Sequence, residues 1–136
     1  MTVDEYFDQF NIHELTINEA QDRIETIRPI LNQIVDNYQL FKNTFELLGM
    51  VSKNGTPIQV IQQTKYQLDQ YEDILGDLRD ELQLNDVMLR NWESGFADFP
   101  SEKDGKPIWY CFEPHEQNIS HYHDFSLGCS WRKAIE

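Results

Sequence analysis

The residues best suited to chemistry are gathered near the end of the chain. Three of the four histidines, both cysteines and Asp124 lie between positions 111 and 129. Neutral imidazole and thiolate are the ligands that zinc and similar divalent transition metals prefer. His121 and His123 are two residues apart on a predicted strand and so point to one face, and Cys111 can approach them from a neighbouring strand. One hypothesis is therefore a metal site formed by these three residues.

A structural interpretation of the same cluster competes with the metal site. His121 and His123 share their predicted face with Ile119 and Phe125, as in a half-buried sheet whose imidazoles hydrogen-bond to nearby groups. Zinc sites usually contain closely spaced ligand pairs such as Cys-x-x-Cys, and the sequence has none. We therefore favour the structural interpretation and assign no cofactor.

A thiol nucleophile is the catalytic alternative. Cys111 would attack, His123 would act as the base, and Asp124 or Asp98 would orient the histidine. However, Cys111 lies in the apolar run 108–112, where burial favours the unreactive thiol. Phosphate loops, nucleophile elbows and dinucleotide fingerprints are also absent from the sequence. The sequence therefore favours a protein that is not an enzyme.

A small ligand pocket is a third hypothesis. Aromatic rings could line it together with His123 and a few polar groups, although such rings more often belong to the core. Asp98 and Asp104 could form a carboxylate pair, but both stand in contexts typical of turns, which we favour. The residues assigned to the possible pocket are Asp98, Trp109, Trp131 and Arg132.

A long helix is predicted ahead of these residues. Thr16 to Glu19 form a capping box, and apolar residues then recur three and four apart, which places them along one seam. Pro29 predicts a bend within this helix, and Gly49 predicts its end. The helix is expected over residues 16–49, with the seam formed by Ile17, Ala20, Ile24, Ile27, Leu31, Ile34, Tyr38, Phe41, Phe45 and Leu48.

A second helix is predicted over residues 56–83. Thr56 to Gln59 read as another capping box, with Pro57 at the first helical position. The two apolar seams predict an antiparallel, coiled-coil-like hairpin, and both are wider than a two-helix contact requires. The second seam is formed by Ile61, Thr64, Leu68, Tyr71, Leu75, Leu78 and Leu82.

The strand and turn signals in residues 84–136 predict a small antiparallel sheet and a tail. Asp104-Gly105 is a hairpin signal, and Pro114 to Asn118 form a plausible turn, so the strands should form a meander. We expect one α+β domain over residues 1–136, with residues 1–15 as an N-terminal extension. The predicted strands are Val87–Trp92, Phe96–Phe99, Pro107–Phe112 and Ile119–Phe125.

Several motifs resemble an uncharacterised prokaryotic family catalogued as domain of unknown function 2203. The resemblance rests on Leu15 to Ala20, Arg28-Pro29, Gly95 to Pro100, Asp104-Gly105, Cys111, Tyr122-His123 and Gly128. It implies the same architecture but no established activity. The chain departs from the family pattern at Asn91 and Ser126, where the family tends to have acids.

Composition limits the partners and the location. The chain carries 24 acidic and 11 basic residues, for a formal net charge of −13, which repels nucleic acid and anionic membranes. The acidic start MTVDEYFDQF is unlike a signal peptide, and no stretch is long enough to span a bilayer. We therefore expect a cytoplasmic protein whose two cysteines are free thiols.

The expected function is self-association. The surplus apolar width of the hairpin predicts a homodimer with a four-helix layer, or a protein partner. The leading hypothesis is thus a non-catalytic interaction or scaffold module. The alternative is a small metal-binding or metal-dependent protein.

Overall fold

The computed structural model describes residues 2–53 and 55–135, which form three helices and an antiparallel sheet. The helices are α1 (Val3–Asp8), α2 (Ile17–Lys53) and α3 (Ile58–Leu84). The strands are β1 (Met88–Leu89), β2 (Ala97–Lys103), β3 (Lys106–Phe112), β4 (His121–Asp124) and β5 (Lys133–Ala134), with a 3-10 turn at Cys129–Trp131. None of the helices described here is long and apolar enough to cross a membrane.

The sheet is a meander in which each strand pairs antiparallel with its neighbour along the chain. Helices α2 and α3 pack together ahead of it, so the predicted α+β fold is confirmed. Asp104 and Gly105 join β2 to β3 and both have positive φ, as a two-residue hairpin turn of type I′ requires.

The helix boundaries differ in part from the prediction. Thr16 Oγ accepts a hydrogen bond from Glu19 N, and Thr16 N donates to Glu19 Oε1, both at 3.1 Å, so the first capping box is confirmed. The second is wrong: Pro57 is the N-cap of α3, and no side chain caps that end. Helix α2 also continues through Gly49 to Lys53, since an exposed glycine weakens a helix without necessarily ending it.

The main core lies between the helical hairpin and one face of the sheet, which we call the inner face. The predicted seams supply its helical side from the first half of α2 and the second half of α3. The sheet supplies Ala97, Phe99 and Phe112, each fully buried. The helical residues of this core are Ala20, Ile24, Ile27, Ile30, Leu31, Ile34, Leu75, Leu78 and Leu82.

Arg28 ties α2 to the connection between β3 and β4. Its guanidinium donates to the carbonyl oxygens of Pro114, Glu116 and Gln117 and lies 5.5 Å from the Phe112 ring centroid. Charged hydrogen bonds of this kind are stronger than neutral ones. This contact fixes the long turn that leads into β4.

In the half of the hairpin that includes the α2–α3 connection, few side chains are buried. We call residues 37–53 and 55–68 the arm; among them only Thr44 and Thr64 are buried, and both hydroxyls bond to carbonyls of their own helix. Phe45, assigned to the seam from its spacing, is 61% exposed. The large apolar side chains exposed on the arm are Leu40, Phe45, Leu47, Met50, Ile58, Val60 and Tyr66.

A second, smaller core covers the opposite face of the sheet, which we call the outer face. Helix α1 places Phe7 edge-on against Trp109 with ring centroids 5.0 Å apart, and Ile12 completes the cluster. Thr2 caps α1 by accepting a hydrogen bond from Glu5 N. Residues 2–15, which were predicted only as part of an N-terminal extension, therefore belong to the folded structure.

Cys111 and Cys129 are joined by a disulfide bond, so the prediction of free thiols is wrong. Cys111 lies on the outer face of β3, and the chain after β4 returns across that face to bring Cys129 to it. The prediction assumed a reducing compartment and had no information on this return path.

Candidate functional site

The candidate site lies on the outer face of the sheet, where three neighbouring strands present polar and aromatic side chains. In the strand register Asp98 is opposite Cys111, and Trp109 is opposite His123. Directly paired residues, and residues two apart on one strand, share a face. The predicted residues Asp98, Trp109, Cys111 and His123 therefore come together on this face.

Asp98 is the centre of a buried ion-pair network. Its Oδ2 lies 3.0 Å from His123 Nε2 and accepts a 2.8 Å hydrogen bond from Arg90 Nε. The guanidinium carbon of Arg90 lies 4.6 Å from the centroid of the Trp109 ring. Stacking and ion pairing together fix the plane of the guanidinium group.

The hydrogen bonds of His123 indicate its protonation state. Nδ1 lies 3.0 Å from the carbonyl oxygen of Asp124, and Nε2 faces the carboxylate of Asp98. Both partners are acceptors, so both ring nitrogens donate when the imidazole is protonated. Burial lowers the pKa of His123, but the hydrogen bond and charge of Asp98 and backbone hydrogen bonds outweigh it and raise the pKa above 6.5. The geometry thus favours an imidazolium.

The second carboxylate oxygen of Asp98 is unusual. Asp98 is only 2% exposed, and its Oδ1 is a buried atom without a hydrogen-bond partner among the described residues. Buried polar atoms are nearly always paired, because an unpaired acceptor carries a desolvation penalty. An exception of this kind requires an explanation, and a functional role is one of those possible.

A pocket of about 290 Å³ lies above this network. Two segments form its walls: Tyr6 and Phe10 from the N-terminal segment, and residues 125–129. The disulfide bond holds the second wall against the sheet through Cys129. The residues beneath it are Arg90, Asp98, Trp109 and His123.

A shallower groove adjoins the pocket at Arg90 and Cys129. Arg132 lines this groove together with Asn91 and Ser130, and its Nη1 lies 3.6 Å from Cys129 Sγ. Asn91 lies here, and Ser126 lines the pocket itself, so both departures from the resembled family pattern are neutral residues at this site. We call the pocket and groove together the cleft.

The predicted pocket residues are partly brought together. Asp98 and Trp109 line the pocket, and Arg132 lines the adjoining groove. Trp131 is 68% exposed on the 3-10 turn, so nothing buries its ring. A further tryptophan, Trp92, packs against Tyr38 of the hairpin, on the inner side of the sheet.

The three proposed metal ligands have other partners. Cys111 Sγ is bonded to Cys129, His123 Nε2 contacts Asp98, and His121 Nδ1 lies 2.8 Å from Ser120 Oγ. Within residues 2–53 and 55–135, no group of three or more His, Cys, Asp or Glu side chains is placed to hold a metal ion. Metal binding by His123, His121 and Cys111 remains a prediction, and it would require the thiol of Cys111 to be released.

The contacts predicted for a thiol nucleophile are only partly present. Cys111 has no free thiol, because it is disulfide-bonded. The orienting contact between Asp98 and His123 is present, whereas Asp124 meets this histidine through its backbone carbonyl. Asp104 lies in the β2–β3 turn and is exposed, so it forms no carboxylate pair with buried Asp98. The turn prediction is thus confirmed for Asp104 and wrong for Asp98, which lies within β2.

Among the residues of the cleft that sequence reasoning missed are Arg90, Tyr6 and Phe10. Arg90 belongs to a predicted strand but reaches Asp98 from beyond the end of β1, and no motif marked it. Tyr6 and Phe10 stand four apart in the N-terminal segment, a helical spacing that could have indicated an apolar face.

Comparisons with known proteins identify the family. No curated protein matches the chain, and no solved structure matches it. Residues 14–135 match the family model described as an uncharacterized conserved protein (DUF2203), which covers the hairpin, the sheet and all of the cleft except Tyr6 and Phe10. The chain therefore belongs to the DUF2203 family.

Proposed function

We propose that the protein is a non-catalytic interaction module that forms a homodimer through the arm of its helical hairpin. The observation that supports this proposal is the set of large apolar side chains exposed along the arm. Apolar residues concentrated on one projecting element are typical of association surfaces. In contrast, the core half of the same hairpin is covered by the sheet.

The apolar residues of the arm follow helical spacing. Leu40 and Leu47 lie seven residues apart on α2, and Met50 follows three residues later, so the three share one side of that helix. Val60 of the arm and Ile74, six residues beyond the arm, lie fourteen residues apart and form a stripe along α3. Two such stripes can pair with a second hairpin in a four-helix layer.

The charge distribution favours a second copy as the occupant. The whole chain has a formal net charge of −13, yet residues 37–68 contain three lysines and a single glutamate. Two arms can therefore approach with little repulsion, while the acidic remainders of the two copies stay apart at opposite ends. An interface formed by the acidic part of the chain outside the arm would instead bring like charges together.

The size of the arm sets the expected affinity. Its helical segment in α2 is about 25 Å long and that in α3 about 17 Å long at 1.5 Å per residue, and two helices side by side give a face about 20 Å wide. Pairing two such faces buries on the order of 1,000 Å² in total, which is at the lower end for stable complexes. We therefore expect a reversible dimer with a dissociation constant in the micromolar range.

Sedimentation velocity across a concentration series tests this proposal. The wild-type chain should shift from monomer to dimer, and the double variant Leu47→Glu with Val60→Glu should remain monomeric while keeping its helical circular dichroism. The matched control is Leu84→Glu, at an 85% exposed position outside the arm, which should dimerise like the wild type. A wild-type chain that stays monomeric up to about 1 mM would contradict the proposal.

A further inference from the structure

We propose that the cleft on the outer face binds a small organic anion. Its carboxylate or phosphate group would pair with Arg90 and Arg132, and its apolar part would lie against Tyr6, Phe10 and Phe125. The site is separate from the arm, so this inference does not depend on the proposed dimer.

Arg90 supplies the anion-binding group. Its Nε is used by Asp98, but its two terminal nitrogens have no hydrogen-bond partner among the described residues. The side chain is 38% exposed, so these donors remain accessible from the cleft. A guanidinium held in one plane presents a fork that matches two oxygens of a carboxylate or phosphate.

The local charge favours an anion although the chain as a whole is acidic. Arg90, Arg132 and the imidazolium form of His123 line the cleft, and Asp98 is the acidic side chain among its lining residues. One oxygen of that carboxylate, Oδ2, is already paired with both Arg90 and His123. Arg132 therefore has no carboxylate partner among the residues that line the cleft, and an anionic ligand can pair with it.

The apolar wall sets the remaining chemistry of the ligand. Tyr6 lies within 5.4 Å of the rings of both Phe10 and Phe125, measured between centroids, and its hydroxyl donates to the Phe125 carbonyl oxygen. These rings form an aromatic surface beside the cations. The pocket of about 290 Å³ suits a ligand with a single ring or a short chain.

An NMR titration of the full chain tests the site, with the indole N–H of Trp109 and the Nε–H of Arg90 as reporters. Benzoate and phenyl phosphate serve as probes of the two anion types, and benzamide serves as the neutral counterpart. One or both anions should give saturable shifts at these reporters, and benzamide should bind at least about tenfold more weakly. Inorganic phosphate alone should also bind more weakly than phenyl phosphate, because it lacks the apolar part.

Charge-removing variants separate the cleft from general electrostatics. Arg90→Gln and Arg132→Gln should each weaken binding about tenfold or more, since hydrogen bonds to charged groups are lost. Arg79→Gln removes the same charge from α3 on the far side of the sheet and should leave the affinity unchanged. The Arg132 variant remains informative if Arg90→Gln disturbs the fold, because Arg132 is exposed.

Three results would overturn the inference. These are an absence of saturable shifts at Trp109 for both anions, binding of benzamide as tight as that of benzoate, and an equal loss of affinity in Arg79→Gln and Arg132→Gln.

Discussion

His123 Nε2 and Asp98 Oδ2 lie 3.0 Å apart although their strands are not neighbours in the sheet. Strand β3 lies between β2 and β4, so the two side chains meet over the outer face of that strand. The contact therefore links three strands, and it also positions Arg90 through the shared carboxylate oxygen.

Replacing His123 should destabilise the protein in a pH-dependent way. The folded state raises the pKa of this imidazole above 6.5 and so binds its proton more tightly than the unfolded chain does. The stabilisation that protonated His123 gives the folded state is present below pH 6.5 and is lost as the pH rises through the pKa of His123 in the folded protein. His123→Gln should therefore lower the free energy of unfolding by about 2–4 kcal/mol at pH 6, with a smaller loss at pH 9.

Urea denaturation at pH values from 5.5 to about 9 measures this difference. His115→Gln is the matched control, since His115 is exposed and its ion pair among the described residues is with half-buried Glu113. It should change stability by less than about 0.5 kcal/mol at every pH. A loss in His123→Gln that grows with rising pH would contradict the assignment.

Reducing the disulfide bond should destabilise the fold. The bridge closes a segment with a sequence separation of 18, for which the entropy of the unfolded chain predicts about 3 kcal/mol. Thermal denaturation with and without a phosphine reductant measures the effect. The double variant Cys111→Ser with Cys129→Ser should be insensitive to the reductant, and an insensitive wild type would show that the bond is not formed.

Gly95 should resist substitution more strongly than Gly105. Both residues have a φ of +77°, so alanine is strained at each. Only at Gly95 would the new Cβ also collide, at 2.9 Å from Pro114 Cγ and 3.0 Å from Val35 Cγ2. Gly105→Ala should lower the free energy of unfolding by about 1 kcal/mol, and Gly95→Ala by about 1–3 kcal/mol more. Equal losses would mean that α2 does not pack closely on this loop.

Truncating Phe7 should test the second core. Phe7 is fully buried against Trp109, so Phe7→Ala should lower the free energy of unfolding by about 3–5 kcal/mol and change the tryptophan fluorescence. Glu5→Ala, at an exposed position of the same helix, is the control. A near-neutral Phe7→Ala would indicate that α1 does not dock on the sheet.

Added salt should strengthen the proposed dimer. Each copy carries a formal net charge of −13, and all of this negative excess lies outside the arm, so repulsion between those parts of the two copies opposes association. Screening reduces that repulsion as the ionic strength rises from about 0.01 M to 0.3 M. Sedimentation should then show a smaller dissociation constant at high salt; the opposite trend would indicate an interface held by opposite charges.

The helical half of the fold was predictable because its signals are local. Helix spacing and the Thr16 to Glu19 capping box depend on residues a few positions apart, as does the Asp104-Gly105 turn. The wrong predictions of where α2 ends and α3 begins also came from local signals. Gly49 and Thr56 carry terminating and capping chemistry, but the chain continues α2 to Lys53 and begins α3 at Ile58.

The candidate site was only partly predictable because it depends on distant parts of the chain. Alternation along the strands was enough to place His121 and His123 on one face, whereas Asp98 and Trp109 were named for a possible pocket from their residue types alone. It could not show that Cys129 returns to Cys111, nor that Arg90 shares the carboxylate of Asp98. Such pairings depend on where loops turn, and loop paths leave little periodic signal.

The neighbour-by-neighbour order of the strands has a kinetic consequence. The β2–β3 hairpin and the helical hairpin can each close from residues near in sequence, with little loss of chain entropy, so both are expected to form early in folding. The docking of Phe7 on Trp109 spans most of the chain and should come late. The outer face, where the cleft lies, is therefore expected to be the last part of the molecule to become ordered.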